Sequence, residues 1–286
     1  MSRNEGRFGS ADVTPEDEGS SAVPASTGGG GFTWTVPTEF VELPSKGRFY
    51  PPQHPLHGQE TIEIKYMTAK EEDILSDRAL LKKGVAIDRA LQNLIVSKDI
   101  KVEEMLVGDK NALVVAARIT GYGSEYTTNV VCPSCLEKSD HTFDLAEVEP
   151  TDLDAALEDS GVELTERNTF SINLPMTKAT VECRMLTGAD ELRLAKSSMR
   201  GTKKNQSSSV LVDQLCSTIV SLNGDDTRSN IIAFVHQMPA RDARYLRNIL
   251  ADVVPNVDLT QDFECKECGY SAALEVPLTS DFFWPK

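Results

Sequence analysis

The sequence predicts an α+β protein built as a tandem duplication of one unit, in which a strand and three helices precede a hairpin that carries a C-x-x-C motif. Three observations lead to this prediction. A strand-and-cap pattern occurs twice, amphipathic helices follow each copy in the same order, and each half ends in a C-x-x-C pair within strand-like sequence. The 286 residues are long enough for two such units.

The repeated pattern is a strand that leads into a helix cap. Residues 62–73 read IEIKYMTAKEED and residues 181–192 read VECRMLTGADEL. Both copies alternate apolar and polar side chains, as a half-buried strand does, and then reach a threonine placed to cap a helix. Two pairs have the spacing of a capping box: Thr68 with Glu71, and Thr187 with Asp190.

Two further helices follow the capped helix in each half, because apolar residues recur there at helical spacing. The second helix of the unit carries Ile87, Leu91, Leu94 and Ile95, or Leu211, Leu215, Cys216 and Ile219. The third carries Leu113, Ala116 and Ala117, or Leu246, Ile249 and Leu250. The offset between the copies grows from 119 residues at the strand to 133 at the cysteines, which indicates longer loops near residues 201–209 and 224–230 of the second half.

The cysteines form two pairs, Cys132 with Cys135 and Cys265 with Cys268, and each pair lies in a predicted strand, turn and returning strand. Both sulfurs of such a turn can face one ion, and two turns complete a closed tetrahedral shell for structural zinc. Gly269 gives the second turn its conformational freedom. We therefore predict a zinc-ribbon-like clasp of four cysteines that joins the two halves.

Other interpretations of the cysteines stay open. A redox-active pair would stand at the start of a helix, whereas both pairs here return into strand-like sequence. The thiols can also be reduced and without a metal. A catalytic zinc would need an open coordination position, which four thiolates do not leave. Cys183 and Cys216 fall on apolar faces and are expected in the core.

Four regions follow from these patterns. Residues 1–31 are rich in Gly, Ser, Pro and Glu and are expected to be a disordered arm. Residues 32–146 form the first repeat, which begins with an extended segment and ends with the first C-x-x-C hairpin. Residues 147–170 are an acidic linker, and residues 171–286 are the second repeat with the second hairpin.

The charge balance and the missing motifs exclude several function classes. A net charge of -15 repels nucleic acid and anionic membrane surfaces. No apolar run approaches the roughly 18 residues of a membrane span, and no export signal is visible, so we expect a soluble protein. No phosphate-binding glycine loop and no Ser-His-Asp arrangement stand out, so we expect no enzymatic activity.

Two stretches rich in aromatic residues are candidate contacts with partner proteins, since aromatic side chains dominate interface energies. One stretch runs from residue 37 to 56, and the other is the C-terminal sequence PLTSDFFWPK. The alternative is that both cover the core of the chain itself. The candidate residues are Phe40, Leu43, Phe49 and Tyr50 in the first stretch, and Phe282, Phe283 and Trp284 in the second.

Several long motifs resemble the baseplate hub subunit family of T-even-type contractile-tailed phages. They are FVELPSKGRFYPPQHPLHGQETIEIKYMTAKEEDIL, LLKKGVAIDRALQNLI, GDKNALVVAARITGYGSEY, the CPSC and CKECG hairpins and the terminal FFWP. The resemblance covers about residues 37–286. It implies a late protein that acts in the host bacterial cytoplasm to build the central hub of the tail baseplate, through contacts with other hub proteins.

The resemblance offers no catalytic residues to transfer, and it leaves two questions open. It does not say whether the protein stays in the virion or departs as an assembly factor, nor what its oligomeric state is. The competing function class is a zinc-ribbon module that binds nucleic acid or acts in regulation, since paired C-x-x-C hairpins often form one. The charge of -15 opposes the nucleic-acid interpretation.

Overall fold

A computed structural model describes residues 35–203, 210–277 and 282–283, without the side chains of residues 198–203. The predicted arm, residues 1–31, lies outside the described residues, as do residues 204–209 and Trp284. From Thr38 onward the chain forms one compact unit. In the described parts of the chain, no helix is long and apolar enough to cross a membrane.

Helices and strands alternate along the described chain, as expected for an α+β protein. The helices are α1 (Ala69–Ser76), α2 (Arg78–Lys83), α3 (Ala86–Leu94), α4 (Val107–Tyr122), α5 (Leu153–Ser160), α6 (Gly188–Lys203), α7 (Val210–Thr218), α8 (Arg228–Gln237) and α9 (Ala240–Val253). The strands are β1 (Thr38–Glu42), β2 (Thr61–Lys65), β3 (Glu125–Val131), β4 (Lys138–Asp144), β5 (Glu149–Pro150), β6 (Glu163–Leu164), β7 (Phe170–Asn173), β8 (Thr180–Cys183), β9 (Ile219–Leu222), β10 (Val257–Asp258), β11 (Thr260–Glu264) and β12 (Ser271–Glu275).

The strands form small antiparallel sheets, which occur in a similar order in the two halves. The first half opens with the β1–β2 hairpin, and the second opens with a sheet in the order β6-β7-β8-β9. After the intervening helices, Ile95 bridges to Ile64 of β2, and Ile219 of β9 pairs with Cys183 of β8. Each half then ends in a separate hairpin, β3–β4 or β11–β12, around its C-x-x-C turn.

Both predicted capping boxes are present. The side chain of Glu71 accepts from the Thr68 N–H at 3.1 Å at the start of α1. Asp190 accepts from the Thr187 N–H at 3.1 Å at the start of α6, while its own N–H donates to the Thr187 hydroxyl at 3.4 Å. Alternate strand residues before each cap are buried, Ile62 and Ile64 in β2 and Val181 and Cys183 in β8, because one face of each strand is turned to the core.

The prediction of three helices in each half is wrong within the described residues, because each half has one helix more. In the first half, Asp77 ends α1 and its carboxylate accepts from the N–H groups of Ala79 and Leu80, which starts the short helix α2. In the second half, α8 begins at Arg228, inside the polar stretch 224–230 where the sequence predicts a loop. The capped, second and third predicted helices correspond to α1, α3 and α4, and to α6, α7 and α9.

The acidic stretch 147–170 holds regular structure that packs on the second half. Asp152 caps α5, whose Leu153 is buried, and this helix lies against α9. Its two-residue strand β5 pairs with β10, which precedes the second C-x-x-C hairpin. This stretch therefore contributes to the core of the compact unit.

A buried aspartate in α4 fixes the turn that leaves β1. Asp109, the third residue of α4, is fully buried and accepts hydrogen bonds from the Ser45 N–H at 2.9 Å and the Ser45 hydroxyl at 2.6 Å. The Tyr50 hydroxyl donates to the same carboxylate at 2.8 Å. The turn begins with Leu43 and a proline and continues through Lys46, which has a φ of 48°.

The second half has the same kind of anchor, a buried aspartate near the start of a helix that accepts hydrogen bonds from a turn. Asp242, the third residue of α9, is fully buried and accepts from the N–H groups of Met176 and Thr177 and from the Thr177 hydroxyl, at 2.8–2.9 Å. The turn after β7 again begins with leucine and proline, and its Lys178 has a φ of 58°. The two aspartates are 133 residues apart, the same offset as the cysteines.

Candidate metal centre

The first C-x-x-C turn joins β3 to β4. The Cys132 N–H donates to the Glu137 carbonyl at 2.9 Å, and the Leu136 N–H donates to the Cys132 carbonyl at 2.9 Å. Leu136 completes the turn in the left-handed region, with a φ of 61°. This backbone path reverses the chain within the motif and leaves Cys132 and Cys135 in the same turn.

The second turn, between β11 and β12, has the same hydrogen bonds. The Cys265 N–H donates to the Tyr270 carbonyl at 2.8 Å, and the Gly269 N–H donates to the Cys265 carbonyl at 2.9 Å. Gly269 has a φ of 68°, as the sequence predicted from its lack of a side chain. Leu136 occupies the equivalent position in the first turn, which could not be predicted because leucine gives no signal for a left-handed residue.

The structure brings the four predicted cysteines together. Their Sγ atoms all lie within 4.8 Å of one another. Two of the separations, Cys132 to Cys268 and Cys135 to Cys265, are both 3.7 Å, and each joins one half of the chain to the other. A disulfide needs about 2.05 Å, so the four thiols are free.

The surroundings of the sulfurs shift two of their pKa values in opposite directions. The Cys135 N–H lowers the pKa of Cys132 to about 7, helped by the Ser134 N–H and opposed by desolvation. The Glu137 N–H lowers the pKa of Cys135, but desolvation and the neighbouring thiols outweigh it and raise that pKa to about 12. Four thiolates without a cation repel one another, and a bound cation would remove this conflict.

Side-chain contacts between the two hairpins also bring the cysteines together. The Gln261 amide donates to the Asp144 carbonyl and accepts from the Asp144 N–H. The ring of His141, on β4, packs edge-on against Phe263 of β11, with centroids 5.2 Å apart. The Tyr126 hydroxyl also donates to the carbonyl of Pro277 at 3.1 Å. The hairpins thus meet through packed side chains as well as through the four sulfurs.

In chemical terms the cluster is a closed set of soft ligands. Among the described residues, these cysteines are the one group of His, Cys, Asp and Glu side chains close enough to hold an ion. Cys132 and Cys265 are buried, whereas Cys135 and Cys268 are exposed. Cys183 and Cys216 lie in the core as expected, and burial raises the pKa of Cys183 to about 12. The arrangement is compatible with a metal site that leaves no open coordination position.

The candidate partner contacts near β1 divide into exposed and buried residues. Phe40 is 68% exposed. Leu43 and Tyr50 are buried, and the partly buried ring of Phe49 packs on Phe170 at 5.4 Å. The alternative interpretation, that these residues cover the core of the chain itself, thus describes Leu43 and Tyr50, whose turn is held to the core by Asp109.

The C-terminal aromatic residues are also buried where the structure describes them. Phe282 and Phe283 are 2% and 3% exposed, and Phe282 packs edge-on against Tyr126 at 5.1 Å. Trp284 lies outside the described residues. The alternative interpretation, in which such residues cover the core of the chain itself, thus describes Phe282 and Phe283.

The sequence matches the family described as T4 bacteriophage base plate protein over residues 36–284. This match covers nearly the whole chain, and the chain belongs to that family. No curated protein and no solved structure gives a match.

Proposed function

We propose that this phage base plate protein acts in building the central hub of the base plate, as a hub subunit or as an assembly protein, and that it acts by binding other base plate proteins without catalysis. The observation that carries the proposal is the family match over residues 36–284. The motifs that resemble hub subunits, including the GDKNALVV sequence around Asp109, favour the hub over other parts of the base plate.

We also propose that the four cysteines bind one structural zinc ion. Four sulfurs at about 2.3 Å from a single zinc ion lie about 3.8 Å from one another. The two separations of 3.7 Å between Sγ atoms of different hairpins agree with this spacing. Because each short separation joins the two halves, zinc would clasp them, and its binding energy would add to the stability of the whole unit.

The two halves are proposed to be copies of one ancestral unit. The matching turns around Asp109 and Asp242, the matching capping boxes and the matching C-x-x-C turns support this proposal. They occur in the same order in both halves, and the offset grows from 119 at the strands to 133 at the aspartates and cysteines. In such a protein the zinc would link corresponding points of the two copies.

The test of the hub function is quantitative mass spectrometry of purified phage particles, infected-cell lysate and the base plate intermediates separated from that lysate. The proposal predicts that the chain accompanies hub intermediates. A fixed ratio to tail proteins in particles would identify a built-in subunit, and abundance in lysate without a trace in particles would identify an assembly factor. Association with base plate parts other than the hub, or with no base plate protein, would contradict the proposal.

A further inference from the structure

Strand β1 is the open edge of its sheet within the described part of the chain. It pairs with β2 on one side, and no described strand pairs with its other side. In the second half, β7 has the corresponding place beside β8, and its outer edge pairs with β6. An open edge presents main-chain N–H and C=O groups to which another strand can bind.

The residues of β1 do not protect this edge fully. Short edge strands with charged residues resist pairing, and Glu39 and Glu42 have that effect. Phe40, between them, is 68% exposed and opposes it, since a large apolar ring gains free energy when another chain covers it. Phe40 is the most exposed aromatic side chain for which the structure gives an exposure.

The carboxylate of Glu39 favours a positively charged partner at this edge. This carboxylate is half-buried, and no hydrogen bond or ion pair to it occurs among the described residues. Burial raises the pKa of Glu39 above its ordinary value. An approaching cation stabilises the ionised form of a half-buried carboxylate that has no partner, and β1 itself carries no cation.

An apolar groove lies beside the strand. A cavity of about 250 Å³ is lined by Val41 and Glu42 of β1 and by Ala112, Ala116 and Ile119 of α4. Alternate side chains of a strand point to the same face, so a strand laid along β1 can place apolar side chains in this groove. The groove thus offers specificity beside the main-chain contacts of the edge.

We propose that the outer edge of β1 binds an extended, basic segment of another base plate protein, which joins the sheet as an added strand. Its lysine or arginine side chains would reach Glu39 and Glu42, and its apolar side chains would cover Phe40 and enter the groove. The net charge of -15 favours this partner over a second copy of the chain. The proposal rests on the proposed function as a base plate component.

The test is peptide binding to the full-length protein. The probe is a capped nonapeptide that contains the order lysine-valine-valine-lysine, so that lysines can lie opposite Glu39 and Glu42 and valines opposite Phe40 and Val41. The control peptide has glutamate in place of lysine. We expect the lysine peptide to bind at least tenfold more tightly, and its binding to weaken as salt is added. Amide exchange at residues 38–42 should slow at least tenfold in its presence.

Variants separate the edge from other apolar surfaces. Phe40→Ser should weaken binding of the lysine peptide at least tenfold. Leu81→Ser, which changes another exposed apolar residue, on α2, should leave the binding unchanged. Glu39→Gln should reduce the preference for the lysine peptide over the glutamate peptide, and an unchanged melting temperature would show that its fold is intact.

Three results would overturn the proposal. They are unchanged exchange at residues 38–42 with saturating lysine peptide, equal affinities for the two peptides, and self-association that slows exchange at these residues. The last result would assign the edge to a second copy of the chain. Absence of the protein from hub intermediates would instead contradict the proposed function, and it would leave the peptide measurements as they stand.

Discussion

The two C-x-x-C turns have the same hydrogen bonds but different residues at the left-handed position. The second turn has Gly269 there, whereas the first has Leu136, which is 72% exposed. A left-handed φ costs a residue with a side chain about 1 kcal/mol or more, and glycine avoids this cost. The comparison shows that the geometry around the sulfurs is held by the whole hairpin, since the first half adopts it with an unfavourable residue.

The buried aspartates give a second comparison between the halves. Both are the third residue of a helix and both accept three hydrogen bonds from the turn after a strand. Burial raises the pKa of Asp109, and its donors offset this only partly. Burial also raises the pKa of Asp242, but the Met176 and Thr177 N–H groups outweigh it and hold that pKa below its usual value. Desolvation weighs more heavily on Asp109, which has one backbone donor, whereas Asp242 has two backbone donors and the nearby Arg241 cation. Together these differences give the two pKa shifts opposite signs.

The largest predicted effect comes from breaking the shared clasp. Cys132→Ser and Cys265→Ser should each lower the free energy of unfolding by about 3 kcal/mol or more, because a structural metal contributes directly to folding. If one ion joins the halves, the two losses should be similar, and the double variant should lose little more than either single variant. Denaturant unfolding measures all three.

The control for these variants is Ser134→Ala, which changes an exposed residue inside the first turn. It should leave the stability within about 0.5 kcal/mol of the parent protein. Losses that add in the double variant would indicate two independent sites and would contradict the shared clasp.

The next effect tests the two aspartate anchors. Asp109→Ala and Asp242→Ala should each cost about 3 kcal/mol, because each leaves buried donors of a turn without an acceptor. Chemical denaturation gives the two values, and Asp226→Ala, at an exposed ion pair, is the matched control with a cost below about 1 kcal/mol. An almost unchanged free energy of unfolding for either variant would contradict the prediction that the two aspartates stabilise their turns equally.

Smaller effects on stability, opposite in sign to each other, are expected from substitutions at the two left-handed residues. Gly269→Ala should cost about 1 kcal/mol from backbone conformation alone, because a Cβ there would meet no atom within 4 Å. Leu136→Gly should stabilise the protein by about 0.5 kcal/mol, and Leu136→Ala should be close to neutral because it keeps a side chain at the same φ. Thermal melts of the three variants test this order, and a destabilised Leu136→Gly would contradict it.

The smallest effect is a difference in pH dependence. Asp242 has a lowered pKa in the folded state, so its stabilisation is present above its unfolded pKa of about 3.9 and is lost as the pH falls through the folded value. Asp109 has a raised folded pKa, so its contribution is greatest below that unfolded value and is lost as the pH rises through the folded value. Substitution by asparagine should therefore change the slope of stability against pH in opposite directions.

Unfolding measured in the acidic range tests this difference. Asp242→Asn should flatten the rise of stability with increasing pH, and Asp109→Asn should make the rise steeper. Slopes that change in the same direction would contradict the opposite pKa shifts of Asp109 and Asp242.

Features that depend on neighbouring residues were predictable from the sequence. The capping boxes and the C-x-x-C turns each involve residues a few positions apart, and the alternation of β2 and β8 is visible in short windows. The amphipathic pattern likewise located α3, α4, α7 and α9. Local hydrogen bonding and periodicity determine these elements, so a short stretch of sequence contains the information.

Features that depend on distant residues were missed. Asp109 accepts from Ser45, 64 residues earlier in the chain, and nothing near Asp109 indicates that contact. The sequence left open whether Phe282 contacts a partner or covers the core, and its packing against the distant Tyr126 is visible only in the folded chain. The extra helix α8 begins inside a polar stretch that has the composition of a loop. In each case tertiary contacts decided the outcome.

The most direct test of the account is the metal content and ligand shell of the purified full-length protein. We predict one zinc ion per chain by elemental analysis, with X-ray absorption showing four sulfur ligands at about 2.3 Å. Cys265→Ser should abolish that four-sulfur shell, and Ser134→Ala should keep it. A reduced, folded protein that contains no zinc, or a shell that includes nitrogen or oxygen ligands, would contradict the clasp between the two halves.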